Sequence, residues 1–252
     1  MLFRTAPLVL LAATLLQASP VARQEAPPPP ARDVIARFVT AMGGAEAYKA
    51  VKSARALGTM QIPSMKVTGT VEVLTARPNK HLARVTISGI GQVEQGYDGR
   101  IGWSINPIAG PSLMVGRELI ETADGAWFDG PLHEPGHVKE MTTVGRVQFD
   151  GRPAIKIKVV LGSGSEQFEY FDVETGLQLG IDAERATPQG VLPLTHIFRD
   201  YKKFGAVMQA STLVERAAGI ETIITLTSVE YDAVPDSTFA IPAQIKALIG
   251  KE

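Results

Sequence analysis

From Ser53 to Tyr231 the chain is a nearly continuous run of short segments with apolar residues at every second position. The segments Val67-Thr68-Gly69-Thr70-Val71-Glu72-Val73, Ile101-Gly102-Trp103-Ser104-Ile105 and Ile155-Lys156-Ile157-Lys158-Val159 show it most clearly. A period of two puts those side chains on one face of a pleated strand. The breaks carry turn chemistry. Tyr97-Asp98-Gly99-Arg100 and Phe149-Asp150-Gly151-Arg152 repeat an aromatic-Asp-Gly-Arg pattern, and Asp-Gly between alternating runs is a strong hairpin signal. The pattern predicts strands at 53–62, 65–75, 80–88, 92–97 and 100–106. A second run is expected at 144–149, 152–161, 166–172, 177–185, 191–203, 207–217 and 220–231.

Helical signals flank and interrupt this meander. Residues 31–42 place Val34, Ile35, Phe38 and Met42 on one stripe, and Gly43-Gly44 then ends the helix. Residues 45–52 read as a second short helix, and another closes the chain through Ile249. Between the two strand runs, 107–140 is an irregular insert opened by Pro107, Gly110 and Pro111, with a short helix around 118–121. Its apolar residues form the main candidate site. Trp103 and Ile105 share a strand face, and Leu113, Met114, Leu119, Ile120, Trp127 and Phe128 follow in the insert. Such an insert either plugs the open side of a curved sheet or serves as a lid over a ligand.

The N-terminus reads as an export signal over 1–22: one positive charge at Arg4, then an apolar stretch from Leu8 to Leu16, too short to span a bilayer. An uncleaved anchor is the alternative. Residues 23–31 form a Pro-rich linker, and 32–252 is read as one β domain. The chain has no cysteine, which excludes disulfides, thiolate metal sites and a lipid-modified N-terminal Cys. The expected location is therefore the periplasm or the exterior, as a soluble protein. A formal net charge of −1 gives no electrostatic support for binding nucleic acid.

One stretch matches a catalytic pattern literally. His133-Glu134-Pro135-Gly136-His137 fits H-E-x-x-H, which needs both histidines on one helical face beside a metal-bound water. Pro and Gly in the middle oppose that helix, so a zinc hydrolase through His133 and His137 is the remote alternative. His81 and His196 lie inside strands. Asp98, Asp150 and Asp172 fall in turns, where Asp is expected for backbone reasons. No residue pattern argues for catalysis, a metal or a cofactor.

The order of several pieces resembles the periplasmic outer-membrane lipoprotein-sorting superfamily, the LolA, LolB and RseB-like proteins. These pieces are Met42-Gly43-Gly44-Ala45-Glu46-Ala47, Val51-Lys52-Ser53, Tyr97-Asp98-Gly99 before Gly102-Trp103, Val144-Gly145-Arg146, Phe149 to Pro153, Phe171 to Leu177, and Phe239-Ala240-Ile241-Pro242. The resemblance implies a mainly β (α+β) fold: an open, curved antiparallel half-barrel with an N-terminal helix and a helical insert covering its concave face. It further implies a non-enzymatic carrier that holds the acyl chains of lipoproteins or another amphiphile, with the eight apolar residues above as lipid contacts; a monomer is expected, because nothing in the sequence asks for more. An envelope sensor or interaction module with a plugged cavity, contacting an envelope protein, is the competing reading. Arg84, Arg100 and Arg117 are the candidates for the arginine that latches the cover, and the sequence does not choose among them.

Overall fold

A computed structural model describes residues 27–187 and 190–249. The expected signal peptide lies outside the described residues. One antiparallel sheet of 13 strands dominates, in the order β6-β5-β4-β3-β2-β1-β13-β12-β11-β10-β9-β8-β7. Its first half comprises β1 (Ser53–Ile62), β2 (Val67–Ala76), β3 (Lys80–Ile87), β4 (Gly91–Tyr97), β5 (Gly102–Asn106) and β6 (Gly110–Leu113). The second half comprises β7 (Val138–Phe149), β8 (Arg152–Leu161), β9 (Glu166–Asp172), β10 (Gln178–Thr187), β11 (Gly190–Phe204), β12 (Val207–Ala217) and β13 (Ile220–Tyr231). Each half is a meander of hairpins, and β1 against β13 joins the two. The helices are α1 (Ala31–Ala41), α2 (Ala45–Ala50), α3 (Gly116–Gly125) and α4 (Ala243–Lys246).

The sheet is open and strongly curved. Helix α3 touches β5, where Leu119 lies over Gly102. It also touches β10, where Arg117 pairs with Glu184 at 2.8 Å and the Ala186 amide donates to Glu121 at 2.7 Å. Those strands are eight steps apart, about 38 Å if the sheet were flat. A ten-residue helix is only about 15 Å long. The sheet must therefore curl until its two wings fall within one short helix's reach, which makes the face under α3 concave.

The apolar stripe of α1 covers the same face at the β7–β9 wing. Val34, Ile35, Phe38 and Met42 are buried against Ile155, Ile157, Val159 and Phe171, and Phe38 meets Phe171 edge to face at 5.3 Å between ring centres. Gly43 then turns the chain at φ 111°, with the Ala206 carbonyl so close that a Cβ would lie 2.5 Å from it. Only glycine fits that approach.

Beyond boundary shifts of one or two residues, two strands depart from the expectation. β7 begins at Val138, six residues before the expected 144, because bulges between Val138 and Glu140 and between Thr143 and Gly145 break the period of two. β6 falls where Gly110 and Pro111 read as stops. It is an edge strand, and there a proline's missing N–H costs no ladder bond.

Candidate functional site

Strand alternation and the observed register place the strand residues of the expected site on definite faces. Gly102 looks inward, toward Leu119 and Met114 of the insert. Its neighbour Trp103 therefore looks outward, flat against Gly96, where a Cβ would come within 2.1 Å of the ring. Trp103 is fully buried there with Leu74 and Leu82, under Phe239 and Ile245 of the C-terminal segment, and Ile105 and Leu113 pack on the same cluster. The eight residues thus divide. Trp103, Ile105 and Leu113 belong to the outer face; Met114, Leu119, Trp127 and Phe128 belong to the inner side. Ile120 projects from α3 with 46% of its surface exposed.

The inner face has an apolar lining that nothing fully covers. Leu213 pairs with Ile224 and Ile224 with Met60. Val71 is opposite Val85, and Val85 opposite Val93. Met60 and Val71 are buried, whereas Val73, Val85, Val93, Leu213 and Ile224 are only half-buried. Toward the end where β1 begins, a cleft of about 230 Å³ separates this face from the insert. Its walls are Val51, Ala54, Thr75, Val207, Gln209 and Tyr231 on one side and Gly125 to Phe128 and Pro131 on the other, with Tyr48 between them.

The insert is pinned to the sheet by polar contacts. Arg77, at the end of β2, donates to the Asp129 carboxylate, to the Val51 carbonyl at 2.6 Å and to the Tyr48 carbonyl at 3.2 Å. Its guanidinium also lies 4.8 Å from the centre of the Phe128 ring. The Phe128 amide donates to the Pro78 carbonyl at 2.9 Å, and the Tyr48 hydroxyl donates to the Phe128 carbonyl at 2.8 Å. Burial, then the Asp129 charge, push the Tyr48 phenol up.

A second anchor lies deeper. His133 Nε2 meets the Glu169 carboxylate at 2.9 Å, with both side chains buried. Gln178 and Gln167 donate to the same carboxylate at 2.6 and 2.7 Å. His133 Nδ1 faces the Pro131 carbonyl at 3.0 Å. Burial alone would depress this imidazole, but the Glu169 charge and hydrogen bond, with the Pro131 carbonyl, hold it above its ordinary value.

The zinc-motif geometry is absent. His133 has a left-handed backbone at φ 53° after a 3₁₀ turn, and no helix runs through to His137. His137 instead faces the Asp124 carbonyl at 3.2 Å and stacks on Trp127, while Glu134 pairs with Lys49 at 2.6 Å. Among the described residues no group of three or more His, Cys, Asp or Glu converges as a metal site.

Sequence reasoning missed Tyr48, Arg77, Asp129, Glu169, Gln209 and Tyr231. Only Glu169 carried a legible signal: a carboxylate among Phe168, Tyr170 and Phe171 inside a strand. Of the three arginines considered as latches, Arg84 belongs to an ion-pair ladder with Glu72 and Glu94 on the outer face. Arg100 is exposed in the turn after β4, and Arg117 ties α3 to Glu184; Arg77, outside those three, is the arginine that holds the insert over the cleft.

An open, curled sheet with helices across its concave side and a cleft beneath them defines a cradle-like β protein. No protein-family model matches the chain, and no curated protein matches it. Solved structures do. A DUF1329 family protein from Desulfovibrio piger is similar with a TM-score of 0.55 at 13% identity, over 84% of this chain and 98% of that one. A LolA superfamily protein from Nitrosomonas europaea is similar with a TM-score of 0.55 at 9% identity, over 85% and 99%. The chain has the LolA-like fold.

Proposed function

We propose that this protein is an exported, non-enzymatic carrier that holds the acyl chains of a lipoprotein or another amphiphile against the inner face of the sheet, with the insert as its movable cover. The observation that carries the reading is the half-buried apolar row Val73, Val85, Val93, Leu213 and Ile224, lying inside a cradle whose cover is held by polar anchors. Each methylene taken from water into such a trough gains about 0.8 kcal/mol. Polar anchors suit a cover that must lift, because water replaces their hydrogen bonds on opening. The LolA-like fold supports the same reading. Met114, Leu119, Ile120, Trp127 and Phe128 are the acyl contacts from the insert, and Trp103, Ile105 and Leu113 support the sheet from behind.

The size of the cleft favours a second reading. Ligand pockets usually span about 300–1,000 Å³, and this one is about 230 Å³. In the carrier reading the cover must move before a chain enters; in the other reading the cavity is plugged and the protein contacts an envelope partner. Native mass spectrometry of the chain purified from a bacterial periplasm separates the two. A lipid-sized excess that disappears on denaturation supports the carrier, and a bare polypeptide that takes up no added lipid defeats it. No described helix is long and apolar enough to cross a membrane.

A further inference from the structure

We propose that the Tyr231 hydroxyl is a hydrogen-bond donor to the ligand, and that it selects an acyl chain ending in a neutral carbonyl, an ester or amide, over a free carboxylate. The inference rests on the carrier reading and assigns the polar end of that site. Tyr231 is brought inward by its pairing with Ala54, and both residues line the cleft. Its hydroxyl oxygen is buried and has no hydrogen-bond partner among the described residues. Buried hydroxyls are nearly always satisfied, and an orphan is a cost the fold carries for a reason outside its own packing. The other phenol of the cleft, Tyr48, is already committed to the Phe128 carbonyl.

The walls decide the charge of what Tyr231 meets. The residues lining the cleft include no Lys, Arg, Asp or Glu. The nearby guanidinium of Arg77 is occupied by Asp129 and two backbone carbonyls. A carboxylate brought here would be stripped of water with no cation to receive it, which is expensive. A carbonyl oxygen needs only a donor, and the Tyr231 O–H supplies one. The aliphatic tail would leave along Ala54 and the apolar row beyond it.

The test compares Tyr231→Phe with the wild-type chain against three probes of equal chain length: 1-monopalmitoylglycerol, its ether analogue 1-O-hexadecylglycerol, and palmitate at a pH where it is ionised. The wild type is expected to bind the ester tighter than the ether and tighter than palmitate. Tyr231→Phe is expected to lose about fivefold on the ester and nothing on the ether. The ligand-free variant is expected to melt no lower than wild type, because the oxygen removed had no partner. An equal loss on ester and ether, an unchanged ester affinity, or a lowered melting midpoint overturns the assignment. Wild-type protein that binds none of the three defeats the carrier reading and this one with it. A wild type that binds ester and ether equally defeats only the role of Tyr231.

Discussion

His133 Nε2 and the Glu169 carboxylate meet at 2.9 Å in the interior, joining the insert to the middle of β9. Both ring nitrogens of His133 face oxygen acceptors, Glu169 on one side and the Pro131 carbonyl on the other. Only the imidazolium donates to both at once. With the imidazole protonated, the form its raised pKa favours, the contact is a buried ion pair with its remaining bonds satisfied by Gln167 and Gln178. Removing one member of such a pair strands the other's charge, a loss of about 3–5 kcal/mol. His133→Ala should lower stability on that scale in denaturant titrations, and His133→Ala with Glu169→Gln should recover part of it. A single-variant loss under 1 kcal/mol would show that the pair is not charged.

The same pair sets a pH dependence. The folded-state pKa of His133 is raised, so its contribution is complete below the unfolded value of about 6.5 and fades as pH rises through the folded value. Wild-type stability should decline as pH rises from about 6.5 through the folded value, and the decline should be shallower in a His133→Gln variant. Parallel profiles for the two proteins would reject this assignment.

Trp103 and Ile120 should separate support from binding. Trp103 has no exposed surface, and truncating a buried tryptophan costs about 3–5 kcal/mol. Trp103→Ala should therefore melt much earlier, while its folded fraction still binds lipid. Ile120 is 46% exposed, so Ile120→Asn should change stability by no more than about 0.5 kcal/mol while weakening acyl binding. The reverse pattern would put the ligand on the outer face.

The strand pattern was legible because most strands keep an unbroken period of two between Gly-containing turns, as in Ile155-Lys156-Ile157-Lys158-Val159. It failed at β7, where bulges shift the period, and at β6, where the edge position tolerates Pro111. Whether an alternating face points inward depends on which chain segment covers it, and that is a long-range fact. Gly102 and Trp103 are adjacent, yet one meets α3 and the other the C-terminal segment. The contacts of Arg77 with Asp129 and of Tyr231 with the cleft span equally distant parts of the chain. No local spacing encodes them.

Arg77 holds the insert by a carboxylate, two carbonyls and one aromatic face, all within reach of a single guanidinium. A lysine offers a point charge without the planar fork or the stacking surface, so Arg77→Lys should behave almost as Arg77→Ala does. Both should free residues 126–132 to exchange amide hydrogens faster, while β1, β2 and β13 keep their protection. The Arg77–Asp129 coupling, measured by a double-mutant cycle, should fall in the range of about 0.5–3 kcal/mol. In a carrier, loosening this contact favours the open form, so acyl uptake should become faster. Exchange that rises equally in the insert and the sheet would mean that Arg77 stabilises the whole fold instead of its cover. Selective loosening without faster uptake would leave the insert a plug and favour the sensor reading over the carrier.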